Sequence, residues 1–170
     1  MLTIGRCIGG GRGLAPALLR RAAAVELGWE VRQKSRFEAV DTHGRRLGVF
    51  LPRGSVVRGG DVLVAEDGSL VAVRAAAQPV LVVRHCPDHG TPFDLVRAAY
   101  HLGNRHVPLA LEAGRLLLEP DPVLADMLRR MHLIVSAADE PFEPESGAYA
   151  PAAAHAHAHG GHGHAHGHRA

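Results

Sequence analysis

Short apolar runs separated by turn residues fill the first half of the chain. They pair around turns, as residues 37–40 with 47–51 and residues 62–64 with 70–73. The Asp67-Gly68 dipeptide between the second pair is a strong signal for a tight hairpin. Regularly spaced short strands predict a small all-β domain over residues 1–76, built as a sandwich or barrel. One helix is expected in this part, within residues 14–27.

A different pattern begins near residue 79. The run Val80-Leu81-Val82-Val83 is typical of a buried strand. Two helices, a hairpin around residues 112–115 and a final strand at 133–135 follow it. The order β-α-β-β-α-β predicts a ferredoxin-like domain over residues 77–149, so the expected fold class is α+β.

Both predicted helices begin with recognisable signals. Thr91-Pro92 and Asp121-Pro122 each place a capping side chain before a proline. Helical spacing then predicts the apolar faces, and Gly103 is expected to cap the first helix at its C-terminus. The predicted apolar positions are Phe93, Val96, Ala99 and Tyr100 in the first helix and Val123, Leu124, Met127, Leu128 and Met131 in the second.

Composition excludes several classes of protein. The chain has 170 residues, 46% of them hydrophobic, and a formal net charge of +2. This balance and an aromatic content of 4% argue against a nucleic-acid-binding protein. We find neither a signal peptide nor an apolar run long enough for a membrane span. Cys7 and Cys86 are too few for a disulfide framework, so we expect a cytoplasmic protein without a membrane partner.

Histidine is the compositional anomaly, because seven of the 13 histidines lie among Ala and Gly near the end of the chain. We interpret residues 150–170 as a disordered, metal-binding tail, since imidazole suits Ni(II), Cu(II) and Zn(II). Composition does not choose among these ions. The expected tail ligands are His155, His157, His159, His162, His164, His166 and His168.

Two further histidines, His101 and His106, flank Gly103 at the predicted end of the first helix. A plain capping turn and a metal site explain the pair equally well from the residues alone, since a histidine also suits a helix C-terminus. Before that helix, the segment His85-Cys86-Pro87-Asp88-His89 is rich in potential ligands. We favour a surface loop with a half-buried cysteine there over a metal site. Cys7 is interpreted as a packed strand residue.

The segment Tyr100-His101-Leu102-Gly103-Asn104-Arg105-His106-Val107-Pro108-Leu109 resembles the central motif of the UreE family of urease accessory proteins, which are nickel metallochaperones. Further similarity lies in Gly48-Val49-Phe50-Leu51-Pro52-Arg53-Gly54 and in Pro141-Phe142-Glu143-Pro144-Glu145-Ser146-Gly147-Ala148-Tyr149. A histidine-rich tail is also common in that family.

The resemblance implies a homodimer in which His106 of both protomers binds one Ni(II) at the interface, with tail imidazoles completing the site. It also implies a metal-binding role for His101. The implied partners are an accessory GTPase and, through it, the urease apoprotein. Some relatives carry histidines just before the second helix, where this chain has Glu119-Pro120-Asp121-Pro122. We therefore expect the additional nickel ligands to come from the tail rather than from this segment.

These observations predict a nickel carrier for urease assembly that is not an enzyme. No nucleophile–base pair, paired carboxylates or closed zinc-ligand set is evident in the sequence. Zn(II) and Cu(II) are expected as competing ions. The alternative is a general Ni, Zn or Cu buffer or storage protein without a committed urease partner.

Overall fold

The computed structural model describes residues 1–146, which form two β-sheets with helices packed against them. The predicted tail and its seven histidines lie outside these residues, so that expectation stays a prediction. Within the described part of the chain, no helix is long and apolar enough to cross a membrane.

The first sheet contains six strands in the order β2-β6-β5-β1-β4-β3. Both predicted hairpins are confirmed, since β3 pairs with β4 and β5 with β6 in antiparallel register. Gly68 has a φ of +82° in the second hairpin, a conformation that glycine adopts without steric cost. The strands are β1 Leu2–Ile8, β2 Ala23–Leu27, β3 Arg36–Val40, β4 Arg46–Phe50, β5 Val62–Ala65 and β6 Leu70–Ala75.

The helix expected within residues 14–27 is only half right. A six-residue helix, α1 Pro16–Arg21, ends before β2, and a single turn, α2 Trp29–Arg32, follows that strand. Residues 23–27 pair in parallel with β6, which buries Val25 and Leu27 in the core of the first sheet. Tertiary pairing thus overrides the local helical pattern, and the N-terminal domain is β-rich rather than purely β.

The second sheet has the strand order β10-β7-β9-β8, and all its neighbours are antiparallel. Helix α3 joins β7 to β8, and helix α4 joins β9 to β10. The final strand runs for nine residues instead of the predicted three. The elements are β7 Ala77–His85, α3 Pro92–Gly103, β8 Ala110–Glu112, β9 Arg115–Leu118, α4 Pro122–Arg130 and β10 Leu133–Pro141.

The predicted start of each long helix is confirmed. The Asp94 carboxylate accepts a hydrogen bond from the Thr91 backbone N–H at 2.8 Å, and the two residues form a capping box. The Asp121 carboxylate accepts from the N–H groups of Val123 and Leu124. These caps satisfy N–H groups that have no partner within the helix.

The predicted apolar face of α3 is wrong. Leu95, Ala98 and Leu102 are the buried residues of this helix and pack in the core beneath the second sheet. Three of the four predicted positions, Phe93, Val96 and Tyr100, are exposed. The helix has two apolar stripes, and the sheet covers the one that contains the leucines. A similar correction applies to Val123 in α4, which is 70% exposed.

Strand β7 is buried on both faces, as its continuous apolar run predicts. Leu81 and Val83 belong to the cluster that includes α3, whereas Val80 and Val82 pack with Trp29 and Phe142. The indole and phenyl rings of that second cluster meet edge to face, with centroids 6.2 Å apart. Trp29 follows strand β2 of the first sheet and Phe142 follows the last strand of the second, so this cluster joins the two halves of the molecule.

Two arginines complete this joint. The buried Arg32 guanidinium lies 2.5 Å from the Glu143 carboxylate and donates to the Phe142 carbonyl. Arg58 donates to the Pro144 carbonyl and the Ser146 hydroxyl. Burial is the largest influence on the pKa of Arg32 and lowers it from its ordinary value, against the opposing charge of Glu143. The joint therefore combines a packed aromatic pair with paired charges.

Candidate metal centre

The C-terminus of α3 places His106 in an unusual backbone conformation. The His106 N–H donates to the Gly103 carbonyl at 2.9 Å, and the Val107 N–H donates to the Leu102 carbonyl at 3.1 Å. His106 has a φ of +57°. These features define a Schellman motif with His106 at the left-handed position, so the expectation that Gly103 caps the helix is wrong.

A histidine at this position has an energetic cost. Left-handed backbone costs a residue with a Cβ atom about 1–2 kcal/mol, and glycine is the usual occupant. Residues held in such conformations concentrate at functional sites. The cap therefore gives an independent reason to examine His106.

His106 is exposed and faces an open groove of about 480 Å³. The wall of this groove includes Trp29, Ala99, Gly103, Pro108 and Leu111. Among residues 1–146, His106 belongs to no group of three or more His, Cys, Asp or Glu side chains close enough to share an ion. A tight site at His106 therefore needs ligands from outside this part of one chain.

His101 lies in the last turn of α3 and is exposed. Its ring stands edge-on to Tyr100, with centroids 5.4 Å apart. It also belongs to no described group of three potential ligands. Within residues 1–146 the structure thus brings neither histidine into a group of potential metal ligands, and both ligand assignments stay predictions.

The loop before α3 is a surface loop with a half-buried Cys86 and an exposed His89, as the sequence predicts. Ligand atoms of Cys86, Asp88 and His89 all lie within 4.8 Å of one another, and His85 is outside this group. The other cysteine, Cys7, is confirmed as a strand residue and donates through its thiol to Asp61 at 3.6 Å. Burial, followed by the Asp61 charge, raises the pKa of the Cys7 thiol to about 12.

Both halves of the chain match family models. Residues 4–76 match the N-terminal domain of the UreE urease accessory protein, and residues 78–168 match its C-terminal domain. The chain belongs to the UreE urease accessory protein family. Its UreE relatives are accessory proteins of urease maturation, and the family implies the handling of a metal.

Individual UreE proteins from several bacteria are similar over most of the chain. The Methylibium petroleiphilum protein is 75% identical over 153 residues, which span 90% of this chain and 70% of the relative. The Albidiferax ferrireducens protein is 71% identical over 150 residues, 88% of this chain and 86% of the relative. The Cupriavidus necator protein is 51% identical over 149 residues, 88% of this chain and 76% of the relative. Each is named urease accessory protein UreE.

The contacts around Trp29 that hold the two sheets together were not predicted from the sequence. Trp29 borders the groove beside His106 and is also flanked by two guanidinium groups, Arg32 at 5.2 Å and Arg58 at 5.0 Å from its ring centroid. The lone tryptophan of the chain was the available signal. Its partners lie up to 113 residues away in sequence, beyond the range of a local pattern.

Proposed function

We propose that this protein is a nickel metallochaperone, not an enzyme, that carries Ni(II) for assembly of the urease active site. His106 from each of two chains binds the ion, and imidazoles of the histidine-rich tail complete its coordination. The observation that carries this proposal is the setting of His106, which is exposed on a left-handed cap beside an open groove and lacks further ligands within the described part of its own chain.

A two-fold symmetric dimer supplies ligands that the described part of one chain lacks. A symmetric dimer doubles every residue near its axis, so one histidine per chain supplies two imidazoles. Ni(II) accepts imidazole readily, and the tail histidines are the proposed ligands for the remaining positions. His101, five residues before His106 in the chain, is the proposed secondary ligand.

The second apolar stripe of α3 is the surface through which the chains meet. Phe93 is 64% exposed, Val96 60% and Tyr100 66%, which is unusual for three large apolar residues on one helix. The stripe continues through Ala99, which borders both the groove of His106 and a second apolar hollow beside Val96. Covering it with a second copy buries this apolar area and brings the two His106 side chains together.

The strand order of the second sheet supports the domain assignment on which the proposed dimer depends. With β10 and β7 adjacent and β8 at the opposite edge, the strands between residues 77 and 141 have the order expected of the ferredoxin-like domain proposed for residues 77–149. Residues 1–76 then form the partner-binding domain. The accessory GTPase and the urease apoprotein are the proposed recipients, and the cytoplasm is the proposed location.

Transfer requires ligands that leave one at a time. Each tail imidazole can be replaced by an incoming donor while the others hold the ion, so nickel need not pass through water. Protons compete with the metal for each imidazole nitrogen, so we expect nickel loading to fall as the pH is lowered.

Isothermal titration with Ni(II) tests the ligand set on the full chain, the His106→Ala variant and a chain ending at Pro151. We expect His106→Ala to weaken the tightest site by at least about 100-fold, since losing even a supporting residue costs 10–100-fold. The shortened chain should keep a tight site but bind fewer ions.

Two results would contradict the proposal. An unchanged tightest site in His106→Ala would reject the interface ligand, and equal stoichiometry in the shortened chain would reject the tail. In cells that make urease, deletion of the gene should lower urease activity in a manner that added nickel repairs. Unchanged urease activity at scarce nickel would favour the general metal buffer.

A further inference from the structure

We propose that Cys86, Asp88 and His89 form a second metal site, which takes a thiophilic divalent ion of the zinc(II) class. This site is independent of the nickel role proposed for His106. The three residues offer one thiolate sulfur, one carboxylate oxygen and one imidazole nitrogen within 4.8 Å of one another.

The distances suit tetrahedral coordination. Zinc–sulfur and zinc–nitrogen bonds of about 2.3 and 2.0 Å place the two ligand atoms roughly 3.5 Å apart at a tetrahedral angle. The Cys86 Sγ and His89 Nδ1 atoms are 3.7 Å apart. For this pair a movement of about 0.2 Å reaches the expected separation, and the Asp88 oxygen lies within 4.8 Å of both atoms.

The backbone that carries these ligands is fixed at both ends. Cys86 follows the last residue of β7, whose register with β10 pairs His85 with Leu133. On the other side, the Gly90 N–H donates to the Cys86 carbonyl at 2.8 Å and closes the loop. A Cβ atom at Gly90 would lie 2.9 Å from that carbonyl oxygen, so this close turn requires glycine.

The helix start then holds the exit of the loop. Asp94 accepts from the Thr91 N–H, which lowers the pKa of its carboxyl group and keeps that carboxylate charged and engaged in the cap. Asp88 is therefore the carboxylate available to an ion. A ligand set on a closed loop between a paired strand and a capped helix is largely preorganised.

The donor set determines the class of ion. Thiolate and imidazole together favour Zn(II) and its neighbours over Mg²⁺ or Ca²⁺, which prefer oxygen ligands. Three protein ligands leave a fourth position open, as in exchangeable zinc sites. Helix α3 has 12 residues, or about 18 Å of length, between this loop and the cap of His106. One ion cannot therefore use both sites of a chain.

Cys7 provides a matched control within the same molecule. Its thiol is half-buried, and it donates to Asp61 in the first sheet. With its pKa raised to about 12 by burial and Asp61, Cys7 is not a thiolate at neutral pH. Cys7 also belongs to no group of three potential ligands among residues 1–146, so Cys86 is the cysteine placed to bind an ion.

Titration of the full chain with Co(II), a spectroscopic substitute for Zn(II), tests the site. A thiolate-to-cobalt charge-transfer band is expected in the wild type and in Cys7→Ser, and it should vanish in Cys86→Ser. Histidines elsewhere bind cobalt without producing this band. His89→Ala and Asp88→Asn should each weaken the cobalt binding measured by the band at least about 10-fold. A wild type without the band, or a band that persists in Cys86→Ser, overturns the proposal.

The rate of cysteine alkylation, followed by mass spectrometry with and without Zn(II), provides a second measurement. Zinc should slow modification of Cys86 at least about 10-fold in the wild type and in His106→Ala. Unchanged alkylation in both proteins overturns the site, since the thiol then only hydrogen-bonds to His89. Protection that disappears in His106→Ala would overturn its independence from the nickel site.

Discussion

The two long helices end in the same way but lead to different surroundings. Each is followed by a histidine in left-handed backbone, His106 with a φ of +57° after α3 and His132 with +61° after α4. Each histidine is exposed and donates its N–H to the carbonyl three residues earlier, at 2.9 and 3.0 Å. Backbone conformation alone therefore does not distinguish a metal ligand from a turn residue.

What separates the two histidines is the environment. His132 leads directly into Leu133, the first residue of β10, so its turn serves to bring that strand beside β7. His106 instead borders an open groove, beyond which lies the exposed apolar stripe of α3. A strained histidine becomes a candidate ligand where an unpartnered surface accompanies it.

Charging the apolar stripe should have the largest effect, because His106, and not His132, lines the groove beside this stripe in the described part of the chain. We expect Val96→Asp to weaken the dimer at least about 100-fold, since each interface would bury two unpaired carboxylates. Sedimentation measures the dimer dissociation constant. Val40→Asp is the matched control, since Val40 is 59% exposed on the first sheet. Equal effects of both variants would show that the stripe is not the interface.

Replacing each histidine by glycine tests the two left-handed positions separately, and the expected change in stability is smaller. Both His106→Gly and His132→Gly should raise the free energy of unfolding by about 0.5–1 kcal/mol, because glycine removes the left-handed strain. Urea denaturation of the metal-free proteins measures this change. Only His106→Gly should lose the tightest nickel site. A loss of stability in either variant would refute the strain argument, and equal nickel affinities would refute the distinction between the two histidines.

Local chemistry explains what could be predicted from the sequence. The hairpin at Asp67-Gly68 and the helix starts at Thr91 and Asp121 depend on neighbouring residues, and all three are confirmed. The motif around His106 also led to the correct family. These features are readable because their causes lie within a few residues.

The errors arise where distant residues decide. Residues 23–27 form a strand because β6 pairs with them. The apolar face predicted for α3 is exposed because the other apolar stripe, which contains the leucines, packs against the sheet. Gly103 was expected to cap α3. The capping residue is instead His106, three residues later, whose N–H donates to the Gly103 carbonyl. Cys86, Asp88 and His89 were visible as potential ligands, but only the closed loop places their atoms together.

The dimer dissociation constant, measured by sedimentation with and without Ni(II), tests the shared nickel site most directly. An ion held by His106 of both chains binds the dimer and not the monomer, so it must stabilise the dimer by mass action. We predict that saturating Ni(II) lowers the dissociation constant of the wild type at least about 10-fold and leaves that of His106→Ala unchanged. A wild-type constant that nickel does not alter, or an equal shift in His106→Ala, would contradict the account.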